Sequence, residues 1–324
     1  MVKKAKVLSF IILLITSVFK TSDSQAMQTL KSEVAIIMRH SHTKSPINML
    51  TRSKSSESNP YILHTGKAAE KTLELQHRIL VKDSIEHLRK AGLKLNQVVW
   101  DVGCGSGAMT EHIARQVGKK GHVYALDISQ DQINVTKQRL ETICLTNVTF
   151  INADIGDVDL SLGKADIIYS RLLLMHVKDP QSVIEKMYSF LKPGGHLALQ
   201  ESIMSTAHTC PESSAMKKHV KILTSLGKHK GVDFDVGIKL TDLCVASGFK
   251  QIESYFLQPR LTVQEAEPMI LGRSAEWEKE AIKLGITTEE EMEELKKDFK
   301  DMFLKAGPSF YVSLSKQSYV VAKK

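Results

Sequence analysis

None of the four cysteines, Cys104, Cys144, Cys210 and Cys244, stands at C-x-x-C spacing, and no cysteine–histidine cluster has zinc-ligand spacing. A disulfide framework and a structural zinc centre are therefore excluded as organising devices, and unpaired cysteines favour a reducing compartment. No apolar run reaches the roughly 20 residues that a membrane-crossing helix needs. Internal repeats are absent. No G-K-[S/T] follows a glycine cluster, which removes the P-loop nucleotide binders. Basic charge is scarce in the body of the chain. Of the net +8 over 324 residues, residues 1–60 hold nine Lys/Arg against three Asp/Glu, which leaves the remainder at +2. A broad phosphate-binding face, and with it a nucleic-acid partner, is not indicated.

What is present begins with an N-terminal puzzle. Lys3, Lys4 and Lys6 precede the apolar run Val7–Phe19, and Ser24 and Ala26 follow at signal-peptidase spacing. That is the layout of a secretory signal. The alternatives are a membrane anchor, or upstream residues before a later start at Met27 or Met38. Residues 1–26 are thus a signal-like or anchor segment. Residues 27–60, which include "TRSKSSESNP", read as a flexible linker. Residues 1–60 are expected to contribute no strand.

From Thr65 to Lys90 the pattern is helical. Leu73, Leu80, Val81, Ile85 and Leu88 form an apolar stripe that ends near Gly92. Short apolar runs then follow at 97–102, 122–126, 148–151, 165–169 and 195–200. Helical segments lie between them at about 108–117, 130–142 and 181–191, the last opened by Asp179-Pro180. This alternation predicts an α/β fold, a mostly parallel sheet with helices on both faces. Later come a polar, helical excursion near 203–232, a helix at 236–247, and a strand in "KQIESYFL". Two helices are expected over 274–306, and a final strand in "YVSLSKQSYVVA". The stretches near 203–232 and 263–306 are insertions and candidates for a cap over the site.

The chemistry centres on "VVWDVGCGSGAM", residues 98–109. Gly103, Gly105 and Gly107 alternate directly after the first strand. A dinucleotide fingerprint needs G-x-G-x-x-G, and a pyrophosphate would be repelled by Asp101. The loop therefore suits a ligand that is uncharged or cationic at this end. Asp127, at the tip of the next strand, can accept two hydrogen bonds from a ribose diol. Asp154, in "INAD" after the third strand, can hold the exocyclic amine of an adenine. Asp101 has a second reading, in which it only pins the loop by accepting backbone N–H bonds.

The set D-x-G-x-G-x-G, an acid ending the second strand and "NAD" after the third resembles the class I S-adenosylmethionine-dependent methyltransferases. "SRLLLMHVKDP" and "LKPGGHLALQE" resemble that superfamily's fourth and fifth strand regions, closest to its small-molecule branch. The resemblance implies a Rossmann-like sheet of seven strands with the last one antiparallel. It implies S-adenosyl-L-methionine as cofactor, bound by Asp101, Gly103, Cys104, Gly105, Gly107, Asp127, Ile128, Ala153, Asp154, Ile155, Ser170 and Arg171. A sulfonium amino acid carries an ammonium group and no phosphate, which accounts for the acid beside the loop.

Methyl transfer needs alignment and water exclusion more than a dedicated catalytic group. Candidates for such a group are His176, as a base or as a packed structural histidine, and Arg171, which could pair an acidic substrate or a nearby carboxylate. Glu201 ends the fifth strand at the same rim, either as part of the site or as a solvated strand-end acid. Neither [N/D/S]-P-P-[Y/F/W] nor an Asp-Asp/Asn metal set follows the fourth strand, and Cys210-Pro211 reverses the Pro-Cys of cytosine-C5 enzymes. A small organic acceptor under a helical cap is expected. The alternatives are a quinone-ring or lipid-like acceptor, or a protein that holds the cofactor without turnover. Where the cofactor is made argues for a cytoplasmic enzyme, with peripheral membrane contact through Val7–Phe19 if the N-terminus acts at all. Export through a signal peptide is the competing localisation.

Overall fold

The computed structural model describes residues 50–51 and 67–324, all within one compact unit that runs from Asn48 to Lys324. Residues 1–26 and, apart from 50–51, the linker at 27–60 lie outside the described residues. A two-residue strand, β1 (Leu50–Thr51), comes first, then helix α1 (Lys67–Lys90). The alternating core follows: β2 (Val98–Val102), α2 (Ala108–Val117), β3 (His122–Asp127), α3 (Gln130–Thr142), β4 (Val148–Asn152), β5 (Ala165–Arg171), α4 (Pro180–Phe190) and β6 (Leu191–Ile203). The rest comprises β7 (His208–Cys210), α5 (Ser214–Lys230), α6 (Leu240–Ala246), β8 (Gln251–Leu257), β9 (Arg260–Leu261), α7 (Val263–Lys283), α8 (Glu289–Leu304), β10 (Tyr311–Ser313) and β11 (Lys316–Lys323).

The main sheet has the order β1-β4-β3-β2-β5-β6-β11-β8. Strands β2 to β6 are parallel, and β11 runs antiparallel between β6 and β8. Seven strands are those expected from the sequence. The eighth, β1, corrects the expectation that residues 1–60 contribute none. It pairs Leu50 with Ile151 and Thr51 with Asn152 along the open edge of β4. Two residues are too few for an alternating pattern, so only the backbone partner reveals the strand.

Burial follows the pleat. Val99, Ile167, Ala198 and Val321 pack with Leu88, Met109 and Ile113 on the α1/α2 face, while their neighbours Trp100, Ile168, Leu197 and Val320 pack with Ile184, Met187 and Phe190 on the other. Helices cover both faces of these central strands, which is why their runs read as continuously apolar. In α1 the buried stripe differs from the expected one. Leu80 and Leu88 are buried, but Ile85 is 37% exposed, and Ser84 and His87 are fully buried instead. Across the interface Ser84 Oγ donates to Gln200 Oε1 at 2.7 Å, and His87 Nδ1 meets Tyr255 Oη at 3.2 Å.

The two insertions form a single cap. A small antiparallel sheet, β7-β10-β9, links the first insertion to both ends of the second. His219 of α5 meets Trp277 of α7 edge-on at 5.3 Å and Phe299 of α8 at 5.6 Å, and Lys230 pairs with Glu280 at 3.2 Å. Helix α7 starts at Val263, well ahead of the expected helical stretch. Thr262 and Glu265 form the capping box that marks its start. Pro268 and Gly272 obscure it by reading as breakers. The final apolar run is two strands rather than one, β10 in the cap sheet and β11 in the main sheet.

Gly107 shows how tightly the first turn of α2 is set. Its φ is +76°, and an added Cβ would lie 2.5 Å from Thr136 Cγ2. Thr136 cannot step aside freely, because its hydroxyl donates to Gly105 O at 2.7 Å. We expect Gly107→Ala to destabilise the fold by about 1–3 kcal/mol, from the left-handed angle and the clash together. A urea denaturation midpoint equal to that of the wild type would contradict this packing.

Candidate functional site

The C-terminal ends of β2 to β6 open on a cavity of about 510 Å³, floored by the strand tips and roofed by α1 and the cap. Its size falls within the range of small-molecule sites. The loop after β2 is fixed from behind. Gly103 N and Cys104 N donate to Leu126 O at 2.8 and 3.0 Å, and Gly105 N donates to Asp127 Oδ2 at 2.9 Å. Gly103 has φ +76°, with Leu173 Cδ1 only 3.2 Å from a built Cβ. Gly105 has φ +54° and nothing within 4 Å of such a Cβ, so its backbone faces open space in the cavity. Gly107 does not line the cavity. It forms the helix turn described above.

Asp101 lies on the cavity wall yet is only 2% exposed. Its carboxylate accepts from Thr110 Oγ1 in α2. Burial pushes its pKa up to about 6, against the Thr110 bond and the Arg171 charge. The backbone N–H groups of the loop are held by Leu126 O and Asp127, so the pinning considered for Asp101 falls to its neighbour. Burial, then the Asp127 and Asp101 carboxylates, push the Cys104 thiol well above the ordinary range, and it stays neutral.

Asp127 joins two loops. Oδ2 receives Gly105 N, and Oδ1 receives Ser129 N at 2.9 Å. Burial raises its pKa, opposed by those two backbone bonds. Each oxygen retains a lone pair for a further donor. Beside it Ile128 is 52% exposed, an apolar side chain that the described residues leave uncovered. Asp154 is exposed and accepts from Gly156 N at 2.8 Å, which shapes the turn that carries Ala153 and buried Ile155 along the same wall.

The turn after β5 separates this end of the cavity from the cap. Arg171 lines the cavity, its Nη1 donating to Ser84 Oγ at 3.2 Å. Ser170 is fully buried and does not line the cavity, because the strand alternation turns it inward. Leu172 has φ +55°, a strained angle for a branched side chain. His176 is 7% exposed, lines the cavity and meets Phe234 edge-on at 5.8 Å. What holds this turn is Glu201, and neither role considered for it, rim group or solvated acid, is the one found. It is fully buried, accepting from Leu173 N at 2.9 Å, Leu174 N at 2.8 Å and Met175 N at 3.3 Å. Burial pushes its pKa up to about 7, against those three bonds. Nothing in the sequence marks an acid ending a strand as the anchor of the neighbouring turn.

The cap wall is apolar, with Met216, Leu223, Phe234, Met269, Ile270 and Trp277 facing the cavity alongside His219. Sequence reasoning identified the insertions but none of these side chains. No group of three or more His, Cys, Asp or Glu residues able to hold a metal occurs among the described residues, and none of the described helices is long and apolar enough to cross a membrane.

The family model for a methyltransferase domain matches residues 93–257, just over half of the chain. The ubiquinone/menaquinone biosynthesis C-methyltransferase of Vibrio vulnificus is 33% identical over 112 residues, 34% of this chain and 43% of that protein. The demethylmenaquinone methyltransferase of Listeria welshimeri is 32% identical over 115 residues, 34% of this chain and 49% of that protein. The chain thus matches under half the length of either curated relative. Among solved structures, the YcgJ protein of Bacillus subtilis superposes with TM-score 0.51 at 17% identity, covering 76% of this chain and 98% of that one. A Bacillus halodurans protein assigned as a methyltransferase gives 0.50 at 18%, covering 75% and 99%. At these identities the two superpositions establish the fold.

Glu201 generates a pH prediction. Its carboxyl holds a proton up to about pH 7 in the folded protein, against an ordinary value of 4.5. Between these values the folded state binds more protons than the unfolded chain, so stability falls as pH rises. The contribution is fully present below the ordinary value and is lost as pH climbs through about 7, on the order of 3 kcal/mol in all. Glu201→Gln keeps an acceptor for the turn and removes the titration. Its unfolding free energy should fall less steeply than the wild type's from pH 5 to 8, and parallel profiles would refute the assignment.

Proposed function

The chain belongs to the methyltransferase-domain family of the class I S-adenosylmethionine-dependent superfamily, and from that premise we propose that it transfers a methyl group from S-adenosyl-L-methionine to a small organic acceptor. The observation that carries this reading is a single cavity with two unlike ends. One is built from a glycine loop and strand-tip acids, the other from the apolar cap. The residues fit the cofactor. Gly105 leaves room that any Cβ would fill, Asp127 keeps lone pairs for a diol, and Ile128 is an uncovered apolar surface for a flat base.

In this reading Asp101 and the Gly103–Gly105 backbone, with Cys104, receive the amino-acid end. Asp101 offers a carboxylate to an ammonium group. Asp127 accepts from the ribose, while Ala153, Asp154 and Ile155 border the adenine. Arg171 stands where cofactor and acceptor meet, and Ser170 and Gly107 support the wall from behind. When bound, the cofactor supplies a methyl group on a sulfonium, already activated for displacement. The chain aligns the acceptor with it and keeps water out through the cap. For an acceptor atom that must shed a proton, His176 is the imidazole placed at the boundary of the two ends.

A second, narrower reading is a quinone-ring or lipid-like acceptor, favoured by the wall of Met216, Leu223, Phe234, Met269, Ile270 and Trp277. The two curated relatives named above support it. We place the catalytic domain at residues 61–324, with β1 as an added edge. We place the enzyme in the cytoplasm, where its methyl donor is made, with residues 1–26 as a tether to a membrane surface.

Incubation with methyl-labelled cofactor and a lipid extract of source cells should move label into an organic-soluble product. Asp127→Asn should raise the dissociation constant for S-adenosylhomocysteine about tenfold to a hundredfold, since a hydrogen bond to a charged acceptor contributes about 1.5–3 kcal/mol. Unchanged affinity in that variant would sink the ribose assignment. A wild type that binds the cofactor but labels nothing in any extract would favour the non-catalytic alternative.

A further inference from the structure

Two residues that line the cavity each carry a buried polar atom with no partner among the described residues. Ser202 and Gln317 are directly paired across β6 and β11. They are 2% and 3% exposed, and both line the cavity. Ser202 Oγ and Gln317 Oε1 nevertheless make no hydrogen bond. The amide cannot be turned over to hide the problem. Gln317 Nε2 donates to Ser315 O at 3.0 Å and Ser315 Oγ at 3.1 Å, and a flip would set two carbonyl oxygens against each other. Leaving such atoms unpaired costs free energy, so an orphan pair on a cavity wall points to a ligand group.

The sheet order says which ligand. The residues assigned to the cofactor end at β5, and Ser202 and Gln317 lie on the next two strands, β6 and β11, toward the cap. Met204 and Leu314 line the cavity beside them. We propose that Ser202 and Gln317 form a recognition site for a hydroxyl group on the methyl acceptor. This rests on the methyltransferase reading and on the cap end being the acceptor end.

The chemistry selects the group. Gln317 Oε1 only accepts, so the ligand must donate. A hydroxyl donates to Oε1 and accepts from the Ser202 hydroxyl, which satisfies both atoms at once. A carbonyl or ether oxygen takes the Ser202 proton but leaves Oε1 facing another acceptor. A carboxylate does the same and adds a charge in a buried apolar setting. Among oxygen groups only the hydroxyl meets both atoms, so the proposed acceptor is an apolar molecule that presents an O–H donor, an alcohol or a phenol.

The test uses the full chain saturated with S-adenosylhomocysteine. Binding of 2-naphthol, 2-methoxynaphthalene and 2-naphthoate is measured by calorimetry, on wild type, Gln317→Leu and Ser202→Ala. Wild type should bind 2-naphthol at least about tenfold more tightly than the other two. Gln317→Leu should lose that preference and Ser202→Ala should reduce it, while both keep the wild-type affinity for S-adenosylhomocysteine. That last readout shows the variants are folded. Equal binding of the three probes, no binding of any, or a preference that survives in Gln317→Leu overturns the proposal. If wild type fails to bind S-adenosylhomocysteine at all, the methyltransferase reading falls first, an outcome distinct from loss of the hydroxyl preference alone.

Discussion

The carboxylate of Asp127 is the constraint on which the site depends. It sits at the tip of β3, and its two oxygens hold the N–H groups of Gly105 and Ser129, one from each neighbouring loop. The glycine loop is thereby fixed from a strand that it does not belong to. Positive φ at Gly103 and Gly105 becomes affordable because the tie and the Leu126 carbonyl define where the loop must lie. Burial disfavours the charge, and the backbone donors offset that cost. One residue thus links fold and site, since the same oxygens that set the loop remain able to accept from a ligand.

A second buried acid does the equivalent work on the other side of the cavity. Glu201 closes the turn after β5 by taking three consecutive backbone N–H groups, next to a left-handed Leu172. The two acids act on adjacent walls, one shaping the glycine loop and the other the approach to the cap. Neither ion pairs nor metal ligation need be invoked for this arrangement. Backbone amides converging on carboxylates are enough.

The alternating core was legible because its signals are local and repeated. Helices α2 and α3 span the expected residues, 108–117 and 130–142. The glycine spacing and the acids at Asp101, Asp127 and Asp154 could be read in order because the topology brings the tips of successive strands together. What stayed hidden depends on long-range partners. Glu201 reads as a strand-end acid until its three amides are seen, and Ser84 and His87 look like surface positions in α1. Gly107 and Ser170, included by motif, do not line the cavity. The cap was visible as two helical insertions, not as one packed unit. Its small sheet joins segments from residues 208 to 313, and no local pattern reports such a pairing.

The cap closes one end of the cavity with apolar side chains. Helices from two separate insertions meet through His219, Trp277 and Phe299 and set an apolar wall opposite the strand tips. The account stands on the claim that the strand-tip end of that cavity takes a nucleoside-bearing sulfonium cofactor and not a dinucleotide. Calorimetric titration of the wild-type chain with S-adenosylhomocysteine and, separately, with NADH tests it most directly. We predict one-to-one binding of S-adenosylhomocysteine and no heat of binding with NADH. Saturable binding of NADH, with none of S-adenosylhomocysteine, would contradict the account.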